Sequence, residues 1–547
     1  MIKNSIIFFV ISVIICVSCN RNSSNNKTNY ENNSKLKLIS PDRVYKLDLN
    51  SKLNCSISFS DDSFSISRFD PNITKFIHNI LAKAYNKESC LKSLAYDFHS
   101  FIKDNKSFTK TIENKEKDKA DYDLIIVGAG VHSSIFSLNY KLKHPNAKIL
   151  VIDSANAISE HFKSTDYLIN SPENRPTAPS SANILPNSPV QLADFGNKTD
   201  VFFIANKLWQ TIVINSFASG SDILLNTAIT EYSYNQDNKL FSVKLDNNAT
   251  IFTKKIIVSN GLGTPKFENF SDENFKNSQI KLAKDCYNTY SRCLPAVITF
   301  DDLIRFNENW KSHYYNNVYS ILKTRKEIAV VGAGDAANVL IEFLYNAAPD
   351  KAYEYESFKD FYQSINNLYW YAQKHSTSAT FLNDANIKPR YKTFRSAFYK
   401  NLFDDKIKYK MNPYNYHVTN ISYDYAKNKV LLTDDNSNTL EFDQVILTSG
   451  YSNSVSAIIS PILKQQIDEK DLKNHFNDVL NSKNRSIARK LKLENGQTIE
   501  LYVIGTAAGT TPSWQLANTD DLNESITKNS ASINVLAPKT AEFASSL

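Results

Sequence analysis

Four apolar residues, Leu124-Ile-Ile-Val127, run without a polar break and stop at Gly128-Ala-Gly130. Apolar positions then recur with helical spacing through Ile135, Phe136 and Leu138. A short unbroken apolar run bounded by glycine predicts a buried parallel strand, and the period that follows predicts a helix. A second run, Lys148-Ile-Leu-Val-Ile-Asp153, predicts the next parallel strand and ends in a carboxylate. Residues 203–217 predict a helix with an apolar face. Strands are expected over 223–229, 240–245 and 255–258, the last running into Ser259-Asn-Gly261. The plan then repeats. Glu327-Ile-Ala-Val-Val-Gly-Ala-Gly-Asp-Ala-Ala-Asn338 is another strand, glycine turn and helix. Residues 367–374 predict its second strand. Val430-Leu-Leu-Thr433 and residues 439–442 predict further strands, and Val445-Ile-Leu-Thr-Ser-Gly450 closes the unit. Two strand–glycine–helix units, each closed by an apolar strand that ends at a glycine, indicate duplicated domains rather than a solenoid. One more apolar strand, Leu501-Tyr-Val-Ile504, runs into the small-residue turn Gly505-Thr-Ala-Ala-Gly509, and a helical pattern follows through Ile533, Val535 and Leu536.

The glycine positions carry chemistry. Gly128 permits a tight turn, and Gly130, lacking Cβ, lets an anion approach the backbone at a helix N-terminus, where unpaired N–H groups point outward. Ser133 stands at the third glycine position of the fingerprint and is small enough for close helix–strand packing. Asp153 ends the second strand near the roughly 20-residue spacing of a ribose-binding acid. In the second unit Gly332, Gly334 and Ala337 occupy the three glycine positions. Its second strand leads into Gln373-Lys374-His375, not into a carboxylate. A Lys there would attract the 2′-phosphate of NADP, with His375 or Arg390 adding to it; the alternative is a solvated Lys374.

The N-terminus reads as a targeting segment. Lys3 is followed by an apolar stretch over 6–17, too short to span a bilayer with ease, and Ser18 precedes Cys19. This resembles the lipobox of bacterial lipoproteins, with Cys16 where those proteins usually have Leu, and implies lipidation at Cys19 and a membrane-anchored product. An uncleaved signal anchor is the alternative, and a misread leader would leave the protein cytoplasmic. Residues 20–37 are almost all polar and predict a disordered tether. Residues 38–120 read as an accessory segment with helical spacing over 73–84 and 91–102 and a charged linker over 110–119.

Composition narrows the function classes. A net charge of +7 spread over 547 residues, with no long Lys/Arg run, does not indicate nucleic acid. Of six Cys, two lie in the leader. None of Cys55, Cys90, Cys286 and Cys293 forms a CxxC or CxxxxC motif beside a dinucleotide strand, which argues against a dithiol–flavin reductase. Cys286 and Cys293 either pair in an oxidising compartment or are buried thiols. Long loops rich in Asn, Ser and Pro, including Leu168-Ile-Asn-Ser-Pro-Glu-Asn-Arg-Pro176 and Asn183-Ile-Leu-Pro-Asn-Ser-Pro-Val-Gln191, are expected to line a ligand. His161 reads as an acid–base group or, more simply, a hydrogen-bonding loop residue.

Residues 121–547 resemble the two-dinucleotide-binding flavoprotein superfamily, and within it the flavin monooxygenases, including the N-hydroxylating class. Gly128, Gly130 and Asp153 match the FAD fingerprint; Gly332, Gly334 and Ala337 match the nicotinamide fingerprint. Thr448-Ser-Gly-Tyr451 resembles the Ala-Thr-Gly-Tyr closing motif with its first two residues changed. Phe381-Leu-Asn-Asp384 is similar to a Phe-x-Asn-Glu segment whose Asn contacts the nicotinamide cofactor, which implies that role for Asn383. Gly505, Thr510 and Thr511 resemble the C-terminal flavin-binding turn. The resemblance implies an α/β fold with two Rossmann-like domains, a discontinuous FAD domain (121–325 and 451–547) and an inserted NAD(P) domain (326–450). It implies FAD and NADPH as cofactors and a monooxygenase acting on a small molecule through a flavin hydroperoxide. A flavin reductase or oxidase without oxygen insertion, and a non-catalytic membrane-tethered flavin-binding protein, remain the alternatives. NADPH is not normally available outside the cytoplasm, so an exported enzyme would need another reductant.

Overall fold

The computed structural model describes residues 36–40, 43–48, 56–59 and 87–104, and then 119–547 except 161, 163–184, 192–203, 262, 290–292, 307–321, 323, 333–336, 338–339, 341–366, 372–410, 415, 453, 483–484 and 510–532. The leader with Cys19 lies outside the described residues, as do His161, the loop over 168–176 and the expected helix over 73–84.

Three short antiparallel strands, Leu36–Ser40, Arg43–Asp48 and Ser56–Phe59, precede helix α1 (Lys87–Asp104), which contains the expected helix over 91–102. The first of these strands begins at Leu36, just inside the stretch expected to be a tether, because Leu36, Leu38 and Ile39 supply apolar positions that the preceding residues lack. Then come β1 (Leu124–Val127), α2 (Val131–Lys143), β2 (Ile149–Ile152), α3 (Ile204–Ala218) and β3 (Asp222–Leu224). An antiparallel meander (Ile229–Asn235, Leu240–Leu245, Thr250–Thr253) leads to β4 (Ile256–Val258). The strand expected over 223–229 is two strands, interrupted at Asn226, whose φ of +53° is a turn conformation that Asn tolerates. Helix α4 (Glu273–Thr289) leads to β5 (Val297–Thr299), β6 (Glu327–Val331), β7 (Asn367–Tyr371) and β8 (Met411–Tyr414). A second meander (Val418–Asp424, Lys429–Asp434, Thr439–Phe442) leads to β9 (Gln444–Leu447). The chain ends with α5 (Val455–Leu463), β10 (Phe476–Ser482), β11 (Arg485–Lys492), β12 (Thr498–Ile504) and α6 (Ile533–Ser546).

The strands form two main sheets. The first has the order β10-β11-β12-β4-β1-β2-β3; β12 through β3 are parallel, and β10 and β11 continue it antiparallel. The second, β5-β9-β6-β7-β8, is parallel throughout. Strands β2, β4 and β9 are buried at every position, as strands covered on both faces must be. Both sheets place the closing strand beside the first strand and the first beside the second: β4-β1-β2 and β9-β6-β7. Each closing strand is reached through a three-stranded meander, so the repeat read from the glycines extends to the topology.

One boundary moves. β5 lies before residue 326 yet pairs with β9, so the second unit starts earlier than its glycine motif suggests. The chain leaves the first unit and returns to it through one antiparallel ribbon, Thr264–Pro265 against Tyr451–Ser452. Helix α2 is buried on every side from Val131 to Lys141, with α3 and α6 packed against it. Two of its buried serines bond to its own carbonyls, Ser134 to Val131 O at 2.9 Å and Ser137 to Ser133 O at 2.8 Å, which removes the cost of leaving them unpaired. Helix α1 is part of this core: Phe98 stacks on Phe217 at 3.7 Å between centroids, and Tyr96 meets Trp209 at 5.0 Å. Cys286 and Cys293 form a disulfide with Cα atoms 5.6 Å apart, and Cys90 is also disulfide-bonded.

Asp443, just before β9, ties the base of the second sheet. Its carboxylate accepts the backbone N–H groups of Lys326 (2.9 Å) and Glu327 (3.1 Å) and pairs with Lys429 at 2.7 Å. Burial pushes this carboxyl up, but the Lys429 and backbone hydrogen bonds outweigh it and hold the pKa below the usual carboxylate value. A carboxylate so depressed stabilises the fold above its unfolded pKa, near 3.9, and loses that contribution as pH falls through its lower folded value. Asp443→Asn should cost about 1 kcal/mol near pH 7, and the gap to wild type should close below about pH 4. Denaturant titrations at both pH values check this; a gap that is the same at both would contradict it.

Candidate functional site

The first glycine turn is built where β1 ends. Gly128 has φ +101°, a conformation that residues with side chains rarely adopt. A Cβ there would lie 2.6 Å from Ser259 O and 2.9 Å from Asn260 Cα, at the end of β4. The turn is therefore pressed against the closing strand, and Gly128 serves this close approach as well as the turn itself. Its N–H donates to Ile152 O at 2.8 Å, and Ser259 N–H donates to Val127 O at 2.8 Å, locking three strand ends together.

Gly130 differs. It is the N-cap of α2, with φ −95° and ψ −169°, and a Cβ there would meet nothing within 4 Å. Among the described residues no side chain caps the helix, and its first turn contains no acid. The helix N-terminus thus keeps the partial positive charge that favours an anion. Ser133, in the first turn, is 2% exposed, as close packing requires. Asp153 stands immediately after β2 beside the turn: its Oδ2 accepts Ala129 N–H at 2.6 Å and its Oδ1 accepts Ala155 N–H at 2.8 Å. An ionised carboxylate has about four lone-pair sites, so one such group can serve backbone and hydroxyl donors together.

The second turn repeats the construction. Gly332 has φ +122°, and its Cβ would lie 2.5 Å from Thr448 Oγ1 and 2.6 Å from Thr448 O, at the end of β9. Gly332 N–H donates to Tyr371 O at 2.9 Å and Thr448 N–H to Val331 O at 2.7 Å, the counterparts of the two bonds above. Trp370 Nε1 donates to Gly332 O at 2.8 Å. Ala337 is fully buried. Gly334, Lys374, His375, Asn383 and Arg390 lie outside the described residues, as do Thr510 and Thr511.

Gly505 follows β12 and lies against α2. At φ +64°, its Cβ would come within 2.5 Å of His132 Cδ2. The C-terminal turn and the first glycine turn are thus neighbours, although they are far apart in sequence. The part of the Asn/Pro-rich loop that is described, 185–191, packs on the core. Leu185 and Val190 are buried, Asn187 Nδ2 donates to Asn139 Oδ1 at 2.7 Å, and Ser188 donates to Asn215 Oδ1 at 2.6 Å. The loop supplies donors to the buried amide oxygens of Asn139 on α2 and Asn215 on α3, a demand that exists only once those helices are packed. Sequence reasoning named Ser259 and Thr448 in the closing segments but missed their contact with the glycines, and it missed His132 altogether. For the first two a signal was available, since each closing strand ends in a small hydroxyl residue two positions before a glycine.

No family model and no curated protein sequence matches this chain. Solved structures similar to it include the FAD-bound cadaverine monooxygenase DfoA of Erwinia amylovora, 13% identical, covering 77% of this chain and 95% of that one with a TM-score of 0.43. The ornithine N-hydroxylase KtzI of Kutzneria sp. 744 is 14% identical, covering 78% and 98%, with a TM-score of 0.44. Thioredoxin reductase of Lactococcus lactis is 13% identical, covering 78% and 100%, with a TM-score of 0.39.

The two wedged glycines make a direct prediction. Gly128→Ala drives a Cβ into backbone and should destabilise the protein by about 3 kcal/mol or more. Gly130→Ala meets open space at an ordinary φ and should leave the melting temperature nearly unchanged. Thermal melts of the two variants check it; equal losses would refute the separation of roles. The strand orders and the paired glycine turns establish an α/β chain of two Rossmann-like units, the second inserted into the first.

Proposed function

We propose that the chain is an FAD-dependent, NADPH-linked oxidoreductase acting on a small molecule in the manner of a flavin monooxygenase. The observation that carries the flavin site is the open, uncapped N-terminus of α2 at Gly130 beside Asp153. Backbone N–H groups there suit a pyrophosphate, and the Asp153 carboxylate suits ribose hydroxyls. FAD would supply the two-electron chemistry that protein side chains lack. The chain's own part is to hold it: α2 by the phosphates, Asp153 by the sugar, and the turn at Gly505 from the far side. Flavin content tests this. Gly130→Val should remain folded by circular dichroism and purify colourless, while wild type purifies yellow; a yellow, fully loaded variant would refute the site.

The second unit is proposed as the NADPH site. Gly332 holds the turn, Gly334 and Ala337 complete the fingerprint, Asn383 reaches the nicotinamide side, and Lys374 attracts the 2′-phosphate. One exposed ion pair is worth about 1 kcal/mol, a factor of less than tenfold. Lys374→Glu replaces attraction by repulsion and should lower the NADPH-to-NADH ratio of flavin reduction rates. An unchanged ratio would remove Lys374 from the phosphate.

A second reading is favoured by the cysteines. The Cys286–Cys293 disulfide and the disulfide-bonded Cys90 suit an oxidising compartment. They support export as a lipoprotein anchored through Cys19, where a reductant other than NADPH would feed the flavin, or where the protein binds flavin without turnover. Among the described residues no helix is long and apolar enough to cross a membrane. Cys19→Ala should release the protein from the membrane fraction and abolish fatty-acid labelling. A wild-type chain that takes no fatty acid and alkylates at Cys286 without reductant would overturn this reading.

A further inference from the structure

His132 occupies the first turn of α2 and is 6% exposed. Its ring touches two segments that arrive from the far end of the chain. Gly505 packs against its Cγ–Cδ2 bond, so closely that a Cβ would come within 2.5 Å of Cδ2 and 2.6 Å of Cγ. Its Nδ1 shares a hydrogen bond of 3.0 Å with Oγ1 of Thr540, a fully buried residue of α6. The Gly505 backbone is in turn tied to β11, through Gly505 N–H to Ile487 O at 3.3 Å. Three segments therefore meet on one imidazole: the anion-receiving helix N-terminus, the turn after β12, and the C-terminal helix. The ring is held by the hydrogen bond at Nδ1 and by the close approach of Gly505 at Cγ and Cδ2, which leaves it little rotational freedom.

We propose that His132 is a positioning residue that sets the turn at Gly505 against the N-terminus of α2, and that Thr540 fixes the ring by holding Nδ1. This rests on the flavin site proposed above. The C-terminal turn contributes to that site only if it stands at a set distance from Gly130, and His132 is the α2 side chain that Gly505 packs against. The constraint is geometric: the Gly505 backbone can approach the helix only as far as a correctly oriented imidazole allows. A ring freed from Thr540 rotates, and the turn shifts with it.

The test uses Thr540→Val, which keeps the shape of the side chain and removes its hydroxyl, Thr540→Ser, which keeps the hydroxyl, and Thr211→Val as a control. Thr211 is fully buried in α3 and its hydroxyl bonds Lys207 O at 2.9 Å, so its loss costs stability away from the turn. Apoprotein of each full-length variant is titrated with FAD, and melting temperatures are measured alongside. Thr540→Val should weaken FAD binding about tenfold, and Thr540→Ser should restore it. Thr211→Val should lower the melting temperature with FAD affinity unchanged. Wild-type affinity in Thr540→Val, or an equal loss in Thr211→Val, would overturn the positioning role while leaving the flavin site standing. Wild-type protein that binds no FAD would overturn both.

Discussion

The structure depends on a contact that allows no side chain. In each unit a glycine at the end of the first strand lies against the end of the closing strand, Gly128 on Ser259 and Gly332 on Thr448. Both glycines have positive φ, and in both a Cβ would lie within 2.6 Å of backbone oxygen. This wedge sets where each first strand stops and where the following chain turns. In the first unit it is followed by Gly130, where a Cβ would meet nothing within 4 Å. The N–H of each glycine and the N–H of the closing residue then staple the same three strand ends. A turn built this way is stiff, which is what a site that must hold a phosphate through backbone atoms requires.

The two units share this wedge but not their surroundings. The first is wrapped: α3 and α6 from the C-terminus pack on α2, and α1 from the N-terminal segment packs on α3. Its core takes residues from Cys90 to Ala544, so no contiguous stretch of the chain contains it. The second is closed differently, by a meander whose aromatic residues pack on the chain that enters it. Phe275 stacks on Tyr423 at 4.5 Å, and Phe267 stacks on Phe270 at 4.8 Å. The ribbon of Thr264–Pro265 and Tyr451–Ser452 carries both crossings, which is how one unit can be inserted into the other without disturbing either sheet.

Much of this is legible in the residues themselves. An apolar run ended by Gly-Ala-Gly and followed by a helical period is a local signal, because strand burial, glycine turn and helix start all lie within about a dozen residues. Both units, the acid ending β2 and the terminal strand before Gly505 follow from such signals, as does the helix within α1. The meanders are only partly legible. Strands such as Ile229–Asn235 leave most of their positions open to solvent and present no apolar run to read.

What tertiary structure alone decided is every contact between residues remote in sequence. The pressure of Ser259 on Gly128, the recruitment of β5 to β9, the packing of residues 185–191 on buried amides, and the His132–Thr540 bond across 408 positions belong to this class. The pairing of Cys286 with Cys293 belongs to it as well, since seven residues of spacing permit a disulfide but only the fold brings the Cα atoms to 5.6 Å. The physical reason is the same in each case. A residue's chemistry is written at its own position, but the demand it answers, a missing Cβ or an unpaired buried amide, arises on another element and exists only after packing.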